Sequence, residues 1–125
     1  MPKKILLVED EEGIANAFKK QLELIAGYEV VWCDGGKKAL EATKIEKFDA
    51  ILLDLVMPDF DGMAFLKEFN SPNNQYNKAP IIVLTKVTSN ETKEEVKKYQ
   101  IFKYVVKTNI IPTDLIEIIE DSIRK

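Results

Sequence analysis

The chain has no histidine, so an imidazole general base and a His-ligated metal site are both excluded. Its one cysteine, Cys33, has no partner within the chain, which rules out an internal disulfide and makes the cytoplasm the expected compartment. There is no basic excess: 18 Lys and Arg against 21 Asp and Glu give a formal net charge of −3. That sign opposes a general nucleic-acid footprint, and no direct nucleic-acid contact is expected. No apolar run approaches the roughly 20 residues of a membrane helix. Met1-Pro-Lys-Lys4 leads straight into a short strand, with no signal-length apolar region and no small-residue cleavage site, so no membrane association is expected. What remains is 125 residues, 46% hydrophobic and 31% charged, the size and balance of one globular domain over residues 1–125.

The informative stretch runs from Phe48 to Gly62. Ala50 to Leu53 is continuously apolar, as in a strand buried on both faces of a parallel sheet. Asp54 ends that run, and Pro58 and Gly62 mark the loop that follows. Such an Asp points into the crevice where open α/β sheets bind ligands. Asp61, just before the helical segment Met63 to Phe69, is better placed to cap it, which leaves Asp54 for chemistry.

Along the chain, Lys3 to Val8 reads as a first strand ending on Glu9-Asp-Glu-Glu12. Ile14, Phe18, Leu22 and Ile25 then recur at helical spacing until Gly27. Tyr28 to Cys33 is a second strand, and Gly35-Gly36 opens a helix carrying Ala39, Leu40 and Ile45. After the central strand and a helix from Gly62 to Phe69, the stretch Asn70 to Lys78, with four Asn, reads as a loop. Ile81 to Leu84 is the fourth strand. A charged helix follows from Ser89 to Tyr99, with Ser89 or Asn90 as its N-cap. Ile101 to Val106 is the fifth strand. Thr113-Asp114 leads into a last helix with the stripe Leu115, Ile116, Ile119 and Ile123, and Ile118 lies off its edge. Five strands alternating with five helices predict an α/β fold, a flavodoxin-like doubly wound parallel sheet in the order 2-1-3-4-5.

In that order the strand ends converge. Strand 1 supplies Glu9 and Asp10, strand 3 Asp54, strand 4 Thr85 and strand 5 Lys107. Three close carboxylates repel unless a cation holds them. Mg²⁺, which binds through one or two carboxylates and keeps waters for phosphate, suits oxygen donors of this kind. Thr85 offers a hydroxyl and Lys107 a compact positive charge. The set describes phosphoryl transfer onto a carboxylate.

These residues resemble the response-regulator receiver domain, the phosphoacceptor of two-component signalling, in a chemotaxis-regulator-like form, and the likeness spans the whole chain. It is carried by Ile5-Leu-Leu-Val-Glu-Asp-Glu11, Gly36-Lys-Lys-Ala-Leu40, Ile51-Leu-Leu-Asp-Leu-Val-Met-Pro-Asp-Phe-Asp-Gly62, Pro80-Ile-Ile-Val-Leu-Thr85 and Tyr104-Val-Val-Lys107. The resemblance implies that Asp54 accepts a phosphoryl group from a phosphohistidine on a sensor kinase or phosphotransfer protein. Asp10 and Asp54 then bind Mg²⁺, Glu9 acts through water, and the Val56 carbonyl completes the protein ligands. Thr85 and Tyr104 form a switch pair and Lys107 contacts the phosphate. The implied output is a helix 4/strand 5/helix 5 surface open to an effector or a second copy, with Ile118 either a contact on it or an inconsequential exposed side chain. No enzymatic activity beyond self-catalysed phosphoryl transfer and autodephosphorylation is implied.

Two positions depart from the family. Lys86 stands where a small residue usually follows the Thr, and is expected to modulate the lifetime of the phosphorylated state. Thr108 stands in place of Pro, so the Lys107–Thr108 bond is expected to be trans. The acidic pair that precedes strand 5 in winged-helix regulators is also missing. A haloacid-dehalogenase-like phosphatase would need an Asp at position 56, where Val stands. A flavodoxin would need a Ser, Thr and Gly-rich loop in place of Glu9 to Glu12. The remaining alternative is a pseudo-receiver that keeps the fold without phosphate control; Lys86 and Thr108 favour it, and the complete site opposes it.

Overall fold

In the computed structural model, residues 2–57, 62–71 and 79–124 are described. Five parallel strands, β1 (Lys4–Val8), β2 (Glu29–Cys33), β3 (Ala50–Leu53), β4 (Ile81–Thr85) and β5 (Lys103–Val106), form one sheet in the order β2-β1-β3-β4-β5. Five helices connect and cover them: α1 (Glu12–Ala26), α2 (Gly36–Ile45), α3 (Gly62–Phe69), α4 (Asn90–Val96) and α5 (Pro112–Arg124). This is the doubly wound topology expected from the alternation of strands and helices. None of the described helices is long and apolar enough to cross a membrane.

Strand position decides side-chain character. The three central strands are buried on both faces along nearly their whole length, whereas only one residue in each of the edge strands β2 and β5 is buried. Two apolar cores result, one on each side of the sheet. Leu6, Val8, Ile51, Leu53, Ile81 and Val83 face α2, α3 and α4, where Phe65 and Phe69 stack with ring centroids 5.5 Å apart. Ile5, Leu7, Leu52, Ile82 and Leu84 face α1 and α5. Strand alternation therefore sorts successive residues of one apolar run into different cores.

Several expectations are corrected and others, the Ser89 cap and the trans Lys107–Thr108 bond among them, agree with the structure. The helix α4 stops at Val96 rather than Tyr99. Lys98 and Tyr99 donate to Glu95 and Val96, three residues back, so the chain tightens and leaves the α-helix. Ser89, not Asn90, caps it, accepting a hydrogen bond from the Thr92 N–H at 3.2 Å. Ile25 is 56% exposed, because it lies in the last turn before Gly27 reverses the chain in the left-handed conformation. Ile45 is 82% exposed, lying about 120° around α2 from Ala39. Ile118 is half-buried against the core rather than fully exposed, because α5 packs on α1 as well as on the sheet. The helix α5 begins at Pro112, where a missing N–H costs nothing. A 3₁₀ turn at Lys107–Asn109 precedes it, and the Lys107–Thr108 bond is trans. The turn residue Pro58, the cap at Asp61 and the loop beyond Ser71 fall outside the described residues.

Candidate functional site

The site lies at the C-terminal edge of the sheet. The Glu9 N–H donates to the Cys33 carbonyl at 3.1 Å and the Asp54 N–H to the Val8 carbonyl at 3.1 Å. These bonds carry the strand register one residue beyond β1 and β3, so Glu9 and Asp54 emerge side by side. Glu9, Asp10 and Asp54 each present a carboxylate oxygen within 4.8 Å of the other two. Glu9 is 2% exposed and Asp54 8%, while Asp10 is half-buried.

Lys107, placed by the end of β5, closes the group from the far side. Its ammonium is paired with the Glu9 carboxylate and lies 3.1 Å from Asp54 Oδ2. Burial of its side chain works against the charge, but the hydrogen bond to Glu9 and the charge of Asp54 outweigh it and hold the Lys107 pKa above the ordinary lysine value. Burial pushes the Glu9 carboxyl up to about 7, against the opposing pull of Lys107 and with the Asp54 charge adding to the rise. With all three acids ionised, one ammonium leaves two negative charges in excess. An all-oxygen donor set of that charge suits a hard divalent cation, which takes oxygen ligands.

Thr85 is fully buried at the end of β4, and its Oγ1 accepts from the Val87 N–H at 3.4 Å. Tyr104, half-buried on β5, donates its hydroxyl hydrogen to the Val87 carbonyl at 2.6 Å. The Lys93 ammonium lies 5.7 Å from the centre of the Tyr104 ring. Burial, with the Asp54 charge, raises the Tyr104 phenol above its ordinary pKa. Asp54 Oδ1 accepts from the Val56 N–H at 3.3 Å, and Val56 itself is 63% exposed. A cleft of about 230 Å³ opens above Asp54, lined by Asp10, Glu11, Asp54, Val56, Thr85, Lys86 and Lys107. Asp10, Asp54, Val56, Thr85, Lys86 and Lys107 thus line the cleft, Glu9 lies buried beside Asp54, and Tyr104 bonds to Val87 rather than lining the cleft wall.

Two further residues shape the site without having been singled out for it. A β-carbon at Gly62 would stand 2.4 Å from the Asp54 carbonyl oxygen and 2.5 Å from Leu55 Cα. The start of α3 therefore presses directly on the backbone that carries Asp54, and its N–H donates to the Leu55 carbonyl at 3.0 Å. Trp32, at the end of β2, donates its indole N–H to the Glu9 carbonyl at 2.6 Å. The only sequence signal for it was an aromatic side chain with a polar tip near a strand end.

A family model described as response regulator receiver domain matches residues 5–120. Among curated proteins, the chain is 38% identical over 85 residues to the alkaline phosphatase synthesis transcriptional regulatory protein PhoP of Bacillus subtilis, covering 68% of this chain and 34% of that protein. The chain spans less than half the length of the curated relatives it matches. Among solved structures, the chemotaxis protein CheY4 of Vibrio cholerae superposes with a TM-score of 0.86 at 32% identity, over 98% of this chain and 99% of that one. The receiver domain of a Pseudomonas aeruginosa sensor histidine kinase, with a magnesium ion coordinated in its active-site cleft, gives a TM-score of 0.86 at 26% identity, over 100% of both chains.

Proposed function

The chain belongs to the response regulator receiver domain family, and from that premise we propose that Asp54 is its phosphoacceptor. Members of the family act in two-component signalling as phosphoacceptors rather than as enzymes on a separate substrate, and bind Mg²⁺ in an acidic pocket. The observation that carries the reading is Asp54 at the floor of an open cleft, beside Glu9 and Asp10 and within 3.1 Å of the Lys107 ammonium.

In the proposed reaction a carboxylate oxygen of Asp54 attacks the phosphorus of a phosphohistidine, and the bond from phosphorus to the donor nitrogen breaks. The product is an acyl phosphate on Asp54 and a free imidazole on the donor. Asp10 and Asp54, with the Val56 carbonyl and with Glu9 through water, would hold Mg²⁺, which supplies charge neutralisation for the transferring group when bound. Lys107 then exchanges part of its contact with Glu9 and Asp54 for a phosphoryl oxygen. Thr85 releases its weak 3.4 Å bond from Val87 and turns its hydroxyl to another oxygen. Phosphorylation adds a group of roughly −1.5 to −2 charge, and the contacts of Thr85 and Tyr104 with Val87 carry that change to α4, β5 and α5. This biases a pre-existing equilibrium between two packings of that face. The proposed partners are a sensor histidine kinase or phosphotransfer protein in the cytoplasm, and an effector or second copy on the switched face.

The test is mass spectrometry after incubation with acetyl phosphate and Mg²⁺. One phosphoryl adduct is expected on the native chain and none on Asp54→Asn or in excess chelator. An unchanged adduct on Asp54→Asn sinks the assignment, and no adduct on the native chain favours a receiver that works without phosphate.

A further inference from the structure

We propose that Trp32 is a positioning residue for the cation site, one that sets its affinity without touching the ion. The inference rests on the reading of Glu9, Asp10 and Asp54 as the cation-holding group. Trp32 pairs with Leu7 in the parallel register of β1 and β2, and its ring packs at the margin of the core beneath α1. From there the indole N–H reaches past the end of β1 and donates to the Glu9 carbonyl at 2.6 Å. The N–H of the same residue donates to the Cys33 carbonyl at 3.1 Å. Both backbone polar groups of Glu9 are therefore held by β2, one by its main chain and one by its single tryptophan.

That double attachment matters because of what Glu9 carries. Its carboxylate is buried against Lys107, and the peptide that follows it leads directly to Asp10. Glu9 is the last residue that the sheet register holds, through its N–H, and the next regular element begins only at Glu12. The Glu9 carbonyl belongs to the peptide that joins Glu9 to Asp10, so its orientation sets the direction in which the chain leaves the sheet toward Asp10. The indole N–H restrains that peptide from a ring packed against the margin of the core. It thus holds the acidic pair converged on Asp54 while three like charges push them apart. Groups one shell outside metal ligands act in this way, by orienting the donors.

The single tryptophan also gives a unique probe, since the chain has one indole N–H resonance. In a Mg²⁺ titration of the unphosphorylated native protein followed by amide correlation spectra, the Asp10, Asp54 and Trp32 indole signals are expected to move with one dissociation constant. Trp32→Phe keeps an apolar ring and removes the donor. It should weaken Mg²⁺ binding, measured by calorimetry, by about 3- to 10-fold, in the range of one hydrogen bond. A purely structural role for the ring would lower the melting temperature and leave the Mg²⁺ constant unchanged, which would overturn the proposal. Replacing Trp32 by its sulfur isostere 3-benzothienylalanine removes the N–H with the packing retained, and should give the same loss if the phenylalanine variant folds poorly. An indole signal that stays still while Asp10 and Asp54 shift also overturns it. If no signal responds to millimolar Mg²⁺, the cation site itself falls, and the role of Trp32 with it.

Discussion

Tyr104 and Thr85, on neighbouring strands, are joined through Val87, whose carbonyl accepts from the Tyr104 hydroxyl and whose N–H donates to Thr85. One residue of the loop before α4 thus senses both members of the switch pair. Tyr104→Phe deletes the stronger of the two bonds and leaves the Val87 carbonyl without that donor. A loss of about 0.5–1.5 kcal/mol is expected in urea denaturation. The amide shifts that beryllofluoride and Mg²⁺ induce in residues 86–96 should shrink, because the loop is no longer tied to β5. Shifts of undiminished size would mean that Thr85 alone transmits the change.

Glu9 gives a pH dependence whose sign follows from its burial. Its carboxyl is raised from 4.5 to about 7 in the folded chain, so between those values the folded state binds more protons than the unfolded one. Stability from this group is therefore full below about pH 4.5 and is lost as pH rises toward 7, an effect on the order of 1–3 kcal/mol. In chelator, Glu9→Gln should flatten the dependence between pH 5 and 7.5 relative to the native chain. Parallel curves for the two proteins would show that Glu9 titrates normally.

Gly62 is fixed by contact rather than by an unusual backbone angle. An added methyl would lie 2.4 Å from the Asp54 carbonyl oxygen, so Gly62→Ala must push α3 away from the strand end. Overpacking of this kind costs about 1–3 kcal/mol, and the displaced Asp54 should accept phosphate more slowly from acetyl phosphate. Denaturant midpoint and initial phosphorylation rate should fall together. Retention of both would show that the helix start shifts freely.

Lys86 is exposed and lines the rim of the cleft directly after Thr85. A lysine there can lie over the phosphoryl group and shield it from in-line water, and it also narrows entry for a donor. Lys86→Ala is expected to raise both the dephosphorylation rate and the phosphorylation rate several-fold, read by loss and gain of the adduct over time. If neither rate changes, Lys86 is a tolerated surface residue.

Hydrophobic patterning carried the five strands and five helices, because a parallel sheet buried on both faces leaves uninterrupted apolar runs such as Ala50–Leu53, and the right-handed crossover rule with the chain length carried the strand order. The site was legible for the same reason. A charged or hydroxyl residue that ends such a run can only sit at the C-terminal edge, and topology then gathers Glu9, Asp10, Asp54, Thr85 and Lys107. The early end of α4, the exposure of Ile25 and Ile45 and the partial burial of Ile118 were not legible, since each depends on where a helix runs out over its neighbours. Nor could spacing reveal that Trp32 grips Glu9, that Gly62 presses on Asp54, or that Val87 joins Thr85 to Tyr104. Those contacts span 23, 8 and 17 positions at their longest, and only the twist and packing of the folded sheet decide which distant atoms come within bonding distance.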